Sequence, residues 1–316
     1  MNNFWQQLDK PFFVLAPMEA VTDVVFRHVV ANASPPDVYF TEFTNATGWA
    51  NAGEKAVAGR LDKTDEQPIV AHLWGSDPDD IEKLAVRCAE LGYDSIDINT
   101  GCPDKSAIKS GGGAALIKNH PLMAEIIKSA KKSGLPVSVK ARLGYSHVEE
   151  YKDWIGFLLS QDLAALTIHL RTKSEISKVP AHWELLPEIV AMRNAVAPQT
   201  LLIANGDIAD RQQGLDIVKK YKVDGVMIGR GIFHNPFAFE DEPRAHQKDE
   251  LIKLLHLHLD LYEKRGDKRR KYETLKRFYK VYIRDFDGAS ELRHQLMQTK
   301  NVPEVRSILA AQGLSD

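Results

Sequence analysis

The chain has 316 residues, of which 44% are hydrophobic and 27% charged, with a formal net charge of -2. At roughly 150 residues per domain, this composition predicts a globular protein with one large domain or one large and one small domain. The sequence has only two cysteines, Cys88 and Cys102, which excludes a disulfide scaffold. No apolar run approaches about 18 residues, so we expect no membrane span. Because the N-terminus lacks secretory-signal features and the thiols are free, we expect a cytoplasmic protein.

Eight short apolar runs rich in β-branched residues predict β-strands in the first 230 residues. Each run is nearly continuous rather than alternating, which is typical of parallel strands buried on both faces. The runs cover residues 12–16, 37–41, 68–73, 95–99, 136–141, 164–169, 200–204 and 224–228.

Helical patterns occupy the intervals between these runs. In residues 80–91 the apolar side chains form one stripe with the spacing of a core-facing helix, and Cys88 belongs to it, so we interpret Cys88 as structural. Eight strand–helix units of this size favour a TIM barrel. The alternative is a doubly wound open sheet, which would have a glycine-rich turn after the first strand, where this chain has Ala16-Pro17-Met18-Glu19. The other helices are predicted at residues 23–32, 121–132, 148–160, 183–196 and 211–220.

After residue 243 the pattern is helical only, with helices predicted over 251–262, 269–284, 288–299 and 303–312. We therefore predict an α/β TIM (β/α)8 barrel in residues 1–243, followed by a small all-α domain in residues 244–316. The second part has a net charge of +5 against -7 for the first, and ten basic residues but only two acidic ones lie within 264–284. Such a run provides affinity for a polyanion, although a solvated helix face explains the composition equally well.

Polar side chains follow nearly every predicted strand, at the end where a TIM barrel forms its active site. Any one of them is most simply a solvated strand end, but a complete set favours a functional rim. After strands seven and eight, glycines allow backbone N–H groups to approach a ligand closely, which is typical of a phosphate site, and Arg230 can pair with a phosphate. The rim residues are Met18, Glu19, Glu42, His72, Asn99, Lys140, Arg142, His169, Arg171, Asn205, Gly206, Asp207, Gly229 and Arg230.

Cys102 lies in a loop after the fourth strand, between Gly101 and Pro103, where a structural cysteine is not expected. A free thiol with a pKa of about 8.5 is mostly protonated near neutral pH, so it can serve as a proton donor as readily as a nucleophile. The glycines at 111–113 indicate either a movable loop or a plain turn. His256 and His258 lie on different faces of a helix, and we predict no metal site.

At these residues the sequence resembles the tRNA-dihydrouridine synthases over nearly the whole chain. The resemblance rests on residues 16–23, 41–43, 97–105, 139–142, 169–172, 205–207 and 229–231, and its most specific part is the cysteine loop combined with Lys140 and His169. It implies an FMN-binding TIM barrel with a C-terminal helical domain. It also implies an NAD(P)H-dependent flavoprotein that reduces specific uridines in tRNA to 5,6-dihydrouridine, with NADPH as the reductant.

The resemblance further implies a role for each aligned residue. Cys102 would be the general acid: hydride passes from reduced FMN to C6 of a flipped-out uracil, and the thiol protonates C5. Lys140 and His169 would hold the flavin ring, and a cation near N1 stabilises the reduced anion. His72 stands where the family usually has a glutamine that bonds the flavin pyrimidine, and Ala20 and Leu170 replace family glycines. The remaining implied contacts are Pro17, Met18 and Glu19 on the flavin ring, Asn205, Gly206, Asp207, Gly229 and Arg230 on the FMN phosphate, Asn99 and Arg142 on the target uridine, and Arg171 on flavin or RNA.

The helical domain would bind the tRNA, with Lys268, Arg269, Arg270 and Lys271 at the peak of basic density. Two alternatives remain open. An FMN-dependent TIM-barrel reductase of a free small molecule, similar to dihydroorotate dehydrogenase, would share the phosphate site and the lysine but has no need of a basic helical domain. A non-enzymatic RNA-binding protein is disfavoured by the intact Cys102, Lys140 and His169. We expect no obligate protein partner.

Overall fold

The computed structural model describes residues 3–266 and 270–315. Its sheet is parallel throughout, in the order β1-β9-β8-β7-β6-β5-β4-β2, and β3 also pairs with β4. Val14 forms a parallel bridge with Val38, which joins the first strand to the second and closes the barrel. The strands are β1 Phe12–Leu15, β2 Tyr39–Phe40, β3 Thr44–Asn45, β4 Ile69–Trp74, β5 Ser95–Asn99, β6 Val137–Arg142, β7 Ala165–His169, β8 Leu201–Asn205 and β9 Gly225–Ile228.

The predicted TIM barrel is confirmed, and each predicted strand has a counterpart in the sheet. The second strand differs from the prediction because it is divided into β2 and β3, which both pair with β4. The interruption has a local cause: the side-chain oxygen of Thr41 accepts the backbone N–H of His72 at 3.0 Å. A side chain thereby takes a hydrogen bond of the kind that a ladder otherwise makes through the backbone.

The helices surround the sheet and begin at side-chain caps such as Asp23, Asp77 and Asp210, whose carboxylates accept backbone N–H groups of the first turn. Within the described residues, no helix has the length and apolar character needed to cross a membrane. The α-helices are α1 Val24–Ala33, α2 Ala46–Ala52, α3 Pro78–Glu90, α4 Lys105–Lys109, α5 His120–Lys131, α6 Tyr151–Leu159, α7 Leu186–Val196, α8 Arg211–Tyr221, α9 Gly231–His234, α10 Lys248–Leu261, α11 Tyr279–Tyr282, α12 Ala289–Gln298 and α13 Val302–Ala311.

The helix predicted over residues 269–284 is confirmed only in part, and residue 269 lies outside the described residues. The segment contains a 3-10 helix, Tyr272–Phe278, followed by only the single turn of α11. Leu275 and Phe278 are both buried, and their spacing of three residues matches the turn of a 3-10 helix, in which such side chains eclipse. Burial of this pair therefore favours the tighter winding over a continuous α-helix.

The barrel interior has an apolar lower part and a polar mouth. At the bottom, Trp5 is fully buried and donates its indole N–H to Ser95 Oγ at 3.1 Å. Above it the interior is filled by a cluster that includes Val14, Val70 and Ile203. Because strand side chains alternate between faces, the inward positions toward the carboxyl ends bring polar groups to the mouth.

The C-terminal helices pack directly against the barrel. α10 lies on α1, and Phe26 of α1 has its ring centroid 4.6 Å from that of Phe278. Phe233 of α9 and His258 of α10 complete this aromatic contact. One continuous cluster of buried residues includes the outer layer of the barrel and the C-terminal helices. The residues on both sides of position 243 thus share a hydrophobic core.

Candidate active site

A cavity of about 450 Å3 opens at the carboxyl ends of the strands, within the size range of small-molecule sites. Thirteen of the residues predicted for a site lie in its lining, so the structure brings most of the rim together. They are Pro17, Met18, His72, Asn99, Cys102, Lys140, Arg142, His169, Asn205, Gly206, Asp207, Gly229 and Arg230.

A second cavity of about 430 Å3 adjoins the first, and Cys102 and Phe43 line both. Trp74 and Val57 give its wall an apolar part. Glu19, which we predicted at the flavin ring, lines this second cavity, where its carboxylate forms an ion pair with Arg60. The Cys102 thiol therefore lies where two cavities meet.

The loop that carries Cys102 is fixed from several sides. Asn99 Oδ1 accepts the backbone N–H groups of Gly101 and Cys102 at 3.0 and 2.9 Å. Arg142 Nε donates to the Gly101 carbonyl at 2.8 Å, and the N–H of Ala114 donates to the Cys102 carbonyl at 3.1 Å. Burial raises the pKa of the Cys102 thiol, so it retains its proton at neutral pH. A protonated thiol at this position has a proton to give.

The glycines at 111–113 have a packing role. Gly113 has a φ of +55°, and a Cβ at this position would lie 3.0 Å from the Cys102 carbonyl oxygen. A side chain here would thus be both strained and too close to the cysteine loop. The sequence left open a movable loop or a plain turn. The structure indicates a third role, in which the small size of Gly113 lets the backbone pack closely against the Cys102 carbonyl.

Lys140 provides a half-buried cation at the cavity. Its Nζ lies 3.4 Å from Asn205 Oδ1, and the Asn205 amide donates to the Met227 carbonyl at 2.8 Å. Burial, with the nearby charge of Arg142, lowers the pKa of Lys140 to about 8. The charged ammonium form of Lys140 is therefore only modestly favoured over the neutral amine near neutral pH, and an anionic ligand would favour the charged form.

His169 is neutral and its tautomer is fixed by Arg171. Arg171 is 1% exposed, and its Nη1 lies 3.1 Å from His169 Nε2. A guanidinium can only donate, so Nε2 accepts and the ring proton resides on Nδ1. Burial lowers the pKa of His169 well below its usual value. We expected Arg171 on flavin or RNA, but in the structure it holds His169 and forms an ion pair with Asp207.

His72 is fully buried, and its Nδ1 lies 2.6 Å from Asp97 Oδ2. Ser138 Oγ donates to the other oxygen of Asp97, also at 2.6 Å. The sequence interpretation missed Asp97 and Ser138. A signal was available: each lies two residues before a predicted site residue, Asn99 and Lys140, and side chains two residues apart in a strand face the same side.

The loops after β8 and β9 form the other end of the cavity. Arg230 Nη2 lies 2.8 Å from Asp207 Oδ1, and the Asp207 carboxylate also pairs with Arg171. The Arg230 side chain remains 59% exposed, so it can turn toward an anion. Gly231 allows the two loops to meet, because a Cβ there would clash with the Ala209 carbonyl oxygen.

Three arginines of the basic run are directed at the barrel. Arg270, predicted to bind RNA, is 14% exposed and forms an ion pair with the buried Glu42. Arg277 donates to the Ala20 carbonyl at 3.0 Å and Arg284 to the His234 carbonyl. Lys271 is exposed, whereas Lys268 and Arg269 lie outside the described residues. In the described ranges no group of three metal-ligating side chains could hold a metal ion.

Comparison with known proteins adds a family assignment. Residues 14–313 match the family model described as dihydrouridine synthase. The chain is 56% identical over 311 residues to the probable tRNA-dihydrouridine synthase 2 of Bacillus subtilis strain 168, covering 98% of this chain and 96% of that protein. It is 54% identical to the probable tRNA-dihydrouridine synthase of Staphylococcus aureus strain COL, covering 98% and 95%.

Solved structures show the likeness of the fold. Histamine dehydrogenase from Rhizobium sp. 4-9 matches with a TM-score of 0.54 and 12% identity, covering 72% of this chain and 44% of that chain. The 6-hydroxypseudooxynicotine amine oxidase from Pseudomonas geniculata N1 gives a TM-score of 0.53 and 11% identity, covering 72% and 46%.

Proposed function

The chain belongs to the dihydrouridine synthase family, and from this premise we propose that it reduces uridines in tRNA to 5,6-dihydrouridine, using bound FMN that NADPH re-reduces. The observation that carries the proposal is the position of Cys102. Its protonated thiol lies where a cavity that contains the Lys140 cation meets a second cavity, which would admit the substrate.

The first cavity fits FMN in its donor set. Lys140 offers a cation for the ring, and Arg230 with the backbone of Gly206, Asp207 and Gly229 offers a phosphate site at the opposite end. His72 presents a buried ring nitrogen without a hydrogen-bond partner in the described chain. A ligand with polar atoms along its ring satisfies such a group. Pro17 and Met18 complete the wall on the side of β1.

Reduced FMN would supply the hydride for C6 of the uracil. Cys102 then donates its proton to C5, and the high pKa of the thiol keeps that proton available at neutral pH. Asn99 and Arg142 hold the cysteine loop through their own hydrogen bonds. Because both also line the cavity, the remaining Asn99 Nδ2 and Arg142 Nη2 are the groups that orient the target uracil.

The opposite net charges of the two parts of the chain support separate functions for them. We assign catalysis to residues 1–243 and tRNA binding to residues 244–316, with Lys268, Arg269 and Lys271 contacting phosphates. Arg270 contributes instead by docking the helices on the barrel, since it is paired with Glu42.

The test uses the purified protein with FMN, NADPH and an unmodified tRNA transcript. Mass spectrometry of the digested RNA should show uridine gaining two hydrogens, while free uridine and orotate leave the reduced flavin unoxidised. Reoxidation by orotate instead would identify a small-molecule reductase, and a transcript that stays unmodified would contradict the proposal.

Two cysteine variants test the acid. Cys102→Ala should retain FMN but lose about 10²–10⁴-fold in rate, the usual contribution of a general acid. Cys88→Ala is the matched control: Cys88 is fully buried on α3, away from the cavity, so its loss should lower stability slightly and leave the rate unchanged. Full activity of Cys102→Ala would remove the thiol from the mechanism.

A further inference from the structure

The cavity contains one buried polar atom that the protein itself does not satisfy. Seven buried side-chain atoms in the described residues lack a hydrogen-bond partner, and among their side chains only that of His72 lines the cavity. Its Nε2 is fully buried, and an unpaired polar group in such a place costs free energy unless a ligand completes it. This nitrogen therefore indicates what the ligand must offer.

The neighbours of His72 determine whether this nitrogen donates or accepts a hydrogen bond. Asp97 accepts from Ser138 Oγ on one oxygen, and its other oxygen lies 2.6 Å from His72 Nδ1. Nδ1 must therefore donate. Burial lowers the pKa of His72, so the ring is neutral and Nε2 presents only a lone pair. The edges of Phe40 and Phe43 pack against the ring and hold its orientation.

A lone pair in a closed site requires an N–H or O–H from the ligand. The oxidised isoalloxazine ring has a single N–H, at N3, whereas N1, N5 and both carbonyls only accept. Lys140 lines the same cavity and can only donate hydrogen bonds, whereas His72 Nε2 can only accept one. Resting on the proposed flavin site, we propose that His72 binds the ring solely as an acceptor, through Nε2 to N3–H, and that Asp97 is the positioning residue that fixes this tautomer.

This arrangement differs from that of an amide. A glutamine side chain can turn either its oxygen or its nitrogen toward a ligand, whereas His72 cannot exchange the roles of its two nitrogens while Asp97 accepts from Nδ1. The protein should therefore discriminate against a flavin that lacks the N3 proton.

The first test needs no mutation. The apoprotein is titrated with FMN and with N3-methyl-FMN, and binding is followed by quenching of flavin fluorescence. The methylated ring should bind about ten- to hundredfold more weakly, the usual cost of an unsatisfied buried acceptor. Equal affinities would overturn the inference and leave the proposed function intact. Failure of both flavins to bind would instead contradict the proposed function.

The second test separates hydrogen bonding from crowding by the methyl group. Asp97→Asn places an amide against Nδ1; with its oxygen toward Ser138, its N–H₂ group moves the ring proton to Nε2. FMN should then bind about tenfold more weakly, although no atom of the cavity lining has changed size. Adding His72→Gln to this variant should restore the affinity, because the glutamine oxygen can accept from N3–H. An Asp97→Asn protein that binds FMN normally, or the absence of rescue, would refute the role of Asp97.

The third test is spectroscopic. Nitrogen NMR of the 15N-histidine-labelled apoprotein should show His72 with a proton on Nδ1 and a bare Nε2, the resonances being assigned by their loss in His72→Gln. A proton on Nε2 in the parent protein would overturn the inference, even if the Asp97 variant fails to fold.

Discussion

The two histidines that line the cavity, His72 and His169, are each held by a charged neighbour that is not itself part of the lining. Arg171 fixes the proton of His169 on Nδ1, whereas Asp97 fixes that of His72 on the same atom but leaves the other nitrogen as an acceptor. The two imidazoles thus differ in what they present to a ligand, because one partner only donates and the other accepts. Neither role can be read from the histidines alone.

The lowered pKa of Lys140 predicts an upper pH limit for the proposed activity. Burial holds its pKa at about 8, so the ammonium is present below that pH and is lost as the pH rises through it. In the proposed reaction this cation would stabilise negative charge on the flavin ring, so we expect the rate of flavin reduction by NADPH to fall above pH 8. Stopped-flow measurement of this half-reaction across pH 8 checks the prediction.

The control for this pH limit is Lys140→Arg, whose charge persists to higher pH. It should move the decline upward, even if its larger head lowers the maximal rate. A parent rate that stays constant through pH 8 would show that the charge of Lys140 is not needed.

Much of the cavity could be predicted at this scale because parallel barrel strands deliver their last inward residues to one mouth. Lys140 and His169 are such residues, Cys102 lies in the loop that follows such a strand, and all three line the cavity. The role of Arg171 could not be predicted, since its side chain turns along the rim to the Val179 carbonyl and Asp207. That direction depends on a loop whose course the strand pattern does not determine.

At the scale of elements, the basic residues within 264–284 do not all occupy the same kind of position, and composition does not distinguish them. Arg270, Arg277 and Arg284 contact the barrel, whereas Lys271 is exposed. The winding and the bounds of its helix could not be predicted for a related reason: aromatic and basic side chains are interleaved there, and the barrel surface decides which of them face inward.

Neutralising Lys268, Arg269 and Lys271 should weaken the proposed RNA binding. In the triple variant Lys268→Gln, Arg269→Gln, Lys271→Gln, the slope of log K against log[salt] should flatten by about two units, since each lost phosphate contact removes about 0.7–0.9. The flavin spectrum should not change. Filter binding of tRNA at several salt concentrations measures the slope.

The matched control changes Lys219, Lys220 and Lys222 to Gln. These residues lie at the C-terminal end of α8, which points away from the cavity mouth because the helices of this barrel run antiparallel to its strands. The same loss of charge there should leave the slope unaltered. If both triple variants behave like the parent, the basic run is a solvated face and the RNA must bind elsewhere.

At the scale of the molecule, the shared hydrophobic core makes the two predicted parts interdependent for stability. Phe26, Phe233 and Phe278 pack together across position 243. A buried aromatic side chain contributes about 1.5–3 kcal/mol, so removing the C-terminal helices costs several such contributions at once. A sequence pattern marks where alternation stops, but it does not show that the next helices cover the first one.

We therefore expect a fragment of residues 1–243 to lose cooperative thermal unfolding and to aggregate when produced alone. Co-expression with residues 244–316 is the control, and it should restore a complex that binds FMN. Circular dichroism melts and the flavin-to-protein ratio measure both outcomes. A fragment that melts like the full chain and retains FMN would show that the barrel folds independently.

Trp5 has a consequence for the order of events. Because this fully buried indole fills the bottom of the barrel, the described chain has its entrance at the carboxyl ends of the strands. In the proposed reaction, NADPH and the target uridine would then reach the cavity through the same opening, so each would have to leave before the other could enter. The proposed cycle would be strictly alternating, with the opening vacated between the reductant and the tRNA. Excess tRNA should accordingly inhibit its own modification, because bound tRNA would block the access of the reductant to the cavity.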